Sequence, residues 1–199
     1  YQLTAPVWIR GMLKDEYGID PSEIHWRSGG QEEPGRDERT PLTLTNGVDL
    51  QPIPEGETLS NMLVNGELDA LFTARAPSCF DKGAPNIDRL FPDYRTVEQA
   101  YYKKTGMFPI MHRICGRKSL VQRHPWLATS LFKAFCAAKA IALEEIRDVA
   151  ALNVTLPWAV AEARETAALM GQDFWKYGVQ ENAREIDALA RYSYEQGLA

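Results

Sequence analysis

The chain has 199 residues, 45% of them apolar and 25% charged, with a formal net charge of -5. That composition supports a globular core, and the acidic balance offers no electrostatic footprint for nucleic acid, though a few local arginines can still bind a small anion. No apolar run approaches the roughly 18 residues of a membrane span. No secretory signal is read at the start, but Tyr1 in place of Met suggests a fragment or a processed product, so that absence carries little weight.

The first element is a helix from Leu3 to Tyr17, with Thr4 as its cap, Pro6 in the first turn, and Trp8, Ile9, Met12 and Leu13 as an apolar stripe. Gly18 stops it. "IDPSEIHWRSGG" reads as a turn leading into a short strand at about 24 to 27, and residues 29 to 41, rich in Gly, Pro and charge, as an exposed loop. "VDLQPIPEG" gives a second short strand and a turn. "ETLSNMLVNG" is a helix with Leu59, Met62 and Leu63 on one side, closed by Gly66. "ELDALFTAR" then reads as a strand. Strand, helix and strand in that order imply a parallel crossover and an α/β sheet. Ligands of such sheets sit at the carboxyl ends of the strands, which is where Arg75, Pro77, Ser78 and Cys79 would lie.

Residues 81 to 96 are loop, "VEQAYYKKTG" is a short helix, and "MFPIMHRICGRKSL" reads as an apolar strand interrupted by His112 and Arg113. A long amphipathic helix follows from Pro125 to Asp148, with Trp126, Leu127, Leu131, Phe132, Phe135, Ala138 and Ile141 or Ala142 on its expected buried side. Two more helices are expected at about 157 to 170 and 179 to 196. The first half is thus α/β and the second mostly helical. The three cysteines, Cys79, Cys115 and Cys136, are widely spaced and odd in number, which argues against a disulfide framework and for a reducing cytoplasm. No His, Cys, Asp or Glu cluster has metal-ligand spacing, and no Gly-rich phosphate loop is present, so neither metal nor cofactor is expected.

Four stretches, "GELDALFTARAPSCF", "RLFPDYRTVEQAYYKKTGMFPIMH", "HPWLATSLFKAFCAAKA" and "DFWKYGVQENAREIDALARYSYEQGL", together resemble the 4,5-dihydroxyphthalate decarboxylase family. The likeness runs from about Thr4 to Leu198. It implies a type 2 periplasmic-binding-protein-like fold, two lobes with a central cleft. Family members are longer. The resemblance makes residues 1 to 105 the second lobe and residues 106 to 199 the crossover and helical return to the first lobe, whose N-terminal part would be missing here.

The implied reaction is non-oxidative loss of CO2 from 4,5-dihydroxyphthalate to give 3,4-dihydroxybenzoate. Two adjacent carboxylates need a cationic fork, and the ring carbon that loses CO2 needs a proton. Arg75 is the candidate for the carboxylates, assisted by Ser78; its bland alternative is a surface or lobe-spanning ion pair. Arg10 and Thr4 are further substrate-binding candidates, with a solvated helix residue and a plain helix cap as the alternatives. His112 is the candidate general acid, since imidazole titrates near neutral pH, but a lone histidine in an apolar stretch is often only a satisfied core residue. Tyr102 and Lys103 could meet the catechol oxygens, and Trp158 could stack on the ring; each is equally at home as an ordinary helix or core residue. The partner is a small aromatic dicarboxylate, with no membrane or nucleic acid, and homo-oligomerisation is compatible with the sequence. Two other readings share the fold: a solute-binding protein for an organic carboxylate, and a relative of the thiamine-pyrimidine synthases.

Overall fold

The computed structural model describes residues 1–36, 41–44 and 47–199. These divide into two compact units. One comprises Tyr1–Ala100, Met107–Met111 and Arg184–Ala199; the other comprises Tyr101–Gly106 and His112–Ala183.

In the first unit, the expected N-terminal helix is α1, Thr4–Tyr17, closed by Gly18 in the left-handed conformation at φ 70°. Its N-cap is Leu3, with no side-chain cap bond. Thr4 is therefore the first helical residue and not the cap expected of it. A single 3-10 turn, Pro21–Glu23, is stapled by a capping box between Asp20 and Glu23 and feeds β1, His25–Ser28. β1 pairs in parallel with β2, Asp49–Pro52, with Trp26 opposite Leu50. The helix expected after β2 is α2, Leu59–Val64, capped by the Thr58 hydroxyl, which accepts from the Asn61 N–H. The loop expected at 29 to 41 holds over 29–36 and 41, while 37–40 lie outside the described residues.

The strand expected at Glu67–Arg75 does not form; the segment joins no ladder and bends at Glu67, Asp69, Ala74 and Arg75. Its apolar residues are satisfied otherwise: Phe72 packs edge-on against Trp26 of β1, with ring centroids 5.4 Å apart. After it come the single turn α3, Ser78–Asp81, and α4, Tyr94–Thr105, which begins in the first unit and ends in the second.

The core of the first unit joins the start of its sequence to the end. α1 packs against α8, Ala183–Glu195, through Val7, Trp8, Ala188 and Tyr192, with Met107 and Ile110 alongside. Trp8 is 1% exposed, and its Nε1–H donates to the Ile110 carbonyl at 3.0 Å. Burying an indole of this size is worth on the order of 4 kcal/mol. Gly11 lets the helices approach, because a Cβ there would overlap the Tyr192 ring.

The second unit holds α5, Lys118–Arg123, α6, Leu127–Glu145, and α7, Ala159–Met170. The apolar strand expected around Met107–Leu120 is absent: this stretch is irregular as far as α5, and residues 111 to 119 are exposed. Pro109 removes one ladder donor, and among the described residues no neighbouring strand offers a partner. The long helix is where the apolar periodicity puts it, but none of its residues is buried. Trp126 just before it and Leu131, Phe132, Phe135 and Ile141 within it are all exposed. The loop after α7 docks on α6 through Lys139, which donates to Asp173 at 2.6 Å and to the Trp175 carbonyl at 3.1 Å. Among the described residues no helix is long and apolar enough to cross a membrane.

Candidate functional site

The segment Thr73–Ser78 is held in place by the loop that follows β1. Gly30 opens this connection; a Cβ there would strike the Glu33 carbonyl, so the turn requires glycine. The Gly30 and Gln31 carbonyls accept from the N–H groups of Leu59 and Ser60, tying the loop to the start of α2. From the other side, the Gln31 amide nitrogen donates to the Arg75 carbonyl at 3.2 Å and the Ala76 carbonyl at 3.3 Å, while its oxygen accepts from the Thr73 hydroxyl at 2.5 Å. Thr73 Oγ1 in turn accepts from the Arg75 N–H at 3.3 Å. Arg75 therefore has its backbone pinned at both its N–H and its C=O, while its side chain is exposed.

Glu32 completes the strap. Its Oε1 accepts from the Ser60 hydroxyl at 2.7 Å and the Ser78 N–H at 3.0 Å. Hydrogen bonds from the Ser78 side chain, then from Ser60 and the Ser78 backbone, hold the Glu32 carboxyl down to about 2. The anion that Ser78 grips here is thus the chain's own carboxylate. Beyond Ser60 and Ser78 lies a cavity of about 280 Å³, lined also by Asn61, Val64, Cys79, Lys82 and Ala84. Cys79 is buried and Lys82 exposed. Arg75 is not among its lining residues.

The other sequence candidates are spread through the chain. Arg10 is neither solvated nor at the helix start. It is 1% exposed, its Nε–H donates to Gln196 at 2.8 Å and its Nη2 to the Tyr1 carbonyl at 2.8 Å, and its guanidinium lies 3.7 Å from the Tyr1 ring centroid. Gln196 passes the contact on by donating to the Val7 carbonyl at 2.9 Å. Thr4 is half-buried in the first turn of α1. His112, Tyr102, Lys103 and Trp158 belong to the second unit. His112 and Lys103 are exposed, Tyr102 is half-buried on α4, and Trp158 is 72% exposed. Among the described residues, no three His, Cys, Asp or Glu side chains gather where they could hold a metal ion.

Sequence reasoning passed over Gln31 and Glu32 because they sit in a stretch whose composition reads only as loop. The available signal was the Gly-Gly pair directly after a strand, which permits the close backbone approach that the strap uses.

Over all 199 residues the chain is 46% identical to 4,5-dihydroxyphthalate decarboxylase of Comamonas testosteroni. This identity supports membership of the 4,5-dihydroxyphthalate decarboxylase family. It is also 45% identical over 103 residues to 4,5-dihydroxyphthalate decarboxylase of Pseudomonas putida, a match that covers 52% of this chain and 40% of that protein. The chain spans 60% of the length of the Comamonas testosteroni protein. No protein-family model matches the chain.

Proposed function

We propose that the protein is a carboxy-lyase that converts 4,5-dihydroxyphthalate to 3,4-dihydroxybenzoate and CO2 without a cofactor. The observation that carries this reading is the 46% identity, extending over the whole chain, to a protein named 4,5-dihydroxyphthalate decarboxylase. In the reaction the bond between the ring and one carboxylate breaks. CO2 leaves, the electron pair stays on the ring carbon, and a proton takes the vacated position. A hydroxyl para to that carbon pushes electron density toward it.

In this reading Arg75 receives the substrate carboxylates. An exposed guanidinium on a pinned backbone supports the role, because its planar fork suits bidentate carboxylate binding and little backbone freedom is lost on binding. His112 delivers the proton. Tyr102 and Lys103 meet the catechol oxygens, and Trp158 stacks on the ring. Thr4 adds a hydroxyl to the substrate site, while Arg10 and Ser78 act at one remove: Arg10 holds α1 to the end of the chain, and Ser78 holds Glu32. The fold is the two-lobed, periplasmic-binding-protein-like one, with residues 1–105 in the second lobe and 106–199 returning to the first, and the protein works in the cytoplasm.

The test is incubation of the purified protein with 4,5-dihydroxyphthalate, no cofactor added, with product followed by chromatography. Turnover that His112→Ala abolishes while substrate binding survives is the expected result. Tight binding with no turnover would instead identify a solute-binding protein.

A further inference from the structure

We infer that Gln31 and Thr73 are positioning residues for Arg75, fixing the direction in which its guanidinium meets a substrate carboxylate. This rests on the reading of Arg75 as the carboxylate ligand.

One side chain, Gln31, bonds to Thr73, Arg75 and Ala76, more than forty positions away in sequence. Thr73 uses its hydroxyl both ways, donating to Gln31 and accepting from the Arg75 N–H. A bending segment outside any helix or ladder has no regular device to set its backbone, so these bonds take over the task that a sheet would perform. The strap is itself anchored, since the Gly30 and Gln31 carbonyls hold α2 and Glu32 holds Ser60 and Ser78. Aim matters for arginine because a bidentate bond needs the guanidinium plane aligned with the carboxylate. Without the strap the Arg75 backbone would sample other directions, and substrate would have to restore the lost order on binding.

The experiment compares Gln31→Leu, Thr73→Val, Arg75→Ala and the Gln31→Leu/Arg75→Ala double variant in the purified protein. Two readouts are used: KM and kcat for 4,5-dihydroxyphthalate, and calorimetric Kd for phthalate as a dicarboxylate that lacks the hydroxyls. Gln31→Leu and Thr73→Val should each raise KM and Kd on the order of tenfold with kcat little changed. In the double variant the Gln31 effect should vanish, because there is no guanidinium left to aim. Raised Kd in Arg75→Ala with wild-type Kd in Gln31→Leu and Thr73→Val overturns the inference alone. So does a Gln31 effect that persists undiminished in the double variant, which would mark a general structural role. Unchanged Kd in Arg75→Ala removes the carboxylate role of Arg75, and the inference falls with it. Altered Kd in the pattern described, with no turnover by any form, supports the positioning role and overturns the decarboxylase reading.

Discussion

α1 and α6 are both amphipathic helices, and α6 is the longer and more apolar of the two. α1 nevertheless buries Val7, Trp8 and Leu13, while α6 buries none of its residues. The difference lies in what faces them. α1 meets the Ala188 and Tyr192 side of α8 and is cross-tied by Arg10, Gln196, Asp15 and Tyr192. α6 has polar docking bonds from Lys139, with Arg147 just beyond its end adding another, to the loop at 172–175, and its aromatic side chains stand exposed. An apolar stripe tells which face of a helix seeks a partner; it does not tell whether these residues supply one.

The contrast can be broken most sharply at Trp8. Trp8→Ala should lose about 3 to 5 kcal/mol in denaturant unfolding, through lost transfer energy and a cavity beside Tyr192. Gln196→Ala comes next, at about 1 to 3 kcal/mol, because it removes the acceptor of a buried guanidinium N–H. Asp15 is held below its ordinary value, chiefly by its Arg191 hydrogen bonds and further by Tyr192, so its contribution is complete above the unfolded carboxylate range and is lost as pH falls through the lower folded value. Asp15→Asn should cost about 1 kcal/mol at neutral pH and flatten the acid side of the stability curve. Phe135→Ser on α6 should cost under about 1 kcal/mol, since Phe135 is already 40% exposed. A loss as large as that at Trp8 would show that α6 is buried in the working protein. Smallest is the acid response of Glu32, held at about 2 against an ordinary 4.5. Its bonds to Ser60 and Ser78 should persist above pH 4.5 and weaken as pH drops toward 2. Carboxyl NMR shifts of Glu32 would show a midpoint near 4.5 if the strap were open.

Local signals carried far where an element depends on its own residues. The bounds of α1 follow from its stripe and Gly18, and β1 and β2 lie where short strands are expected between turns, although the parallel pairing joins them to each other and not β2 to the segment after α2. They failed where pairing depends on distant chain. "DALF" has a strand's composition, but Phe72 is satisfied by the Trp26 ring without a ladder. "FPIMH" likewise has no neighbouring strand among the described residues. Arg75 was legible as an anion-binding residue type. What holds it was not, because Gln31 lies in a polar loop and its bonds span more than forty residues.

The Arg10–Gln196 bond also bears on synthesis. Its two residues are separated by 186 positions, and the Trp8 core closes only when α8 is present. While the ribosome extends the chain, Trp8 and Val7 must wait as unshielded apolar surface until the second unit has been made. That order leaves the apolar face of α1 unshielded until the residues of α8 have been made.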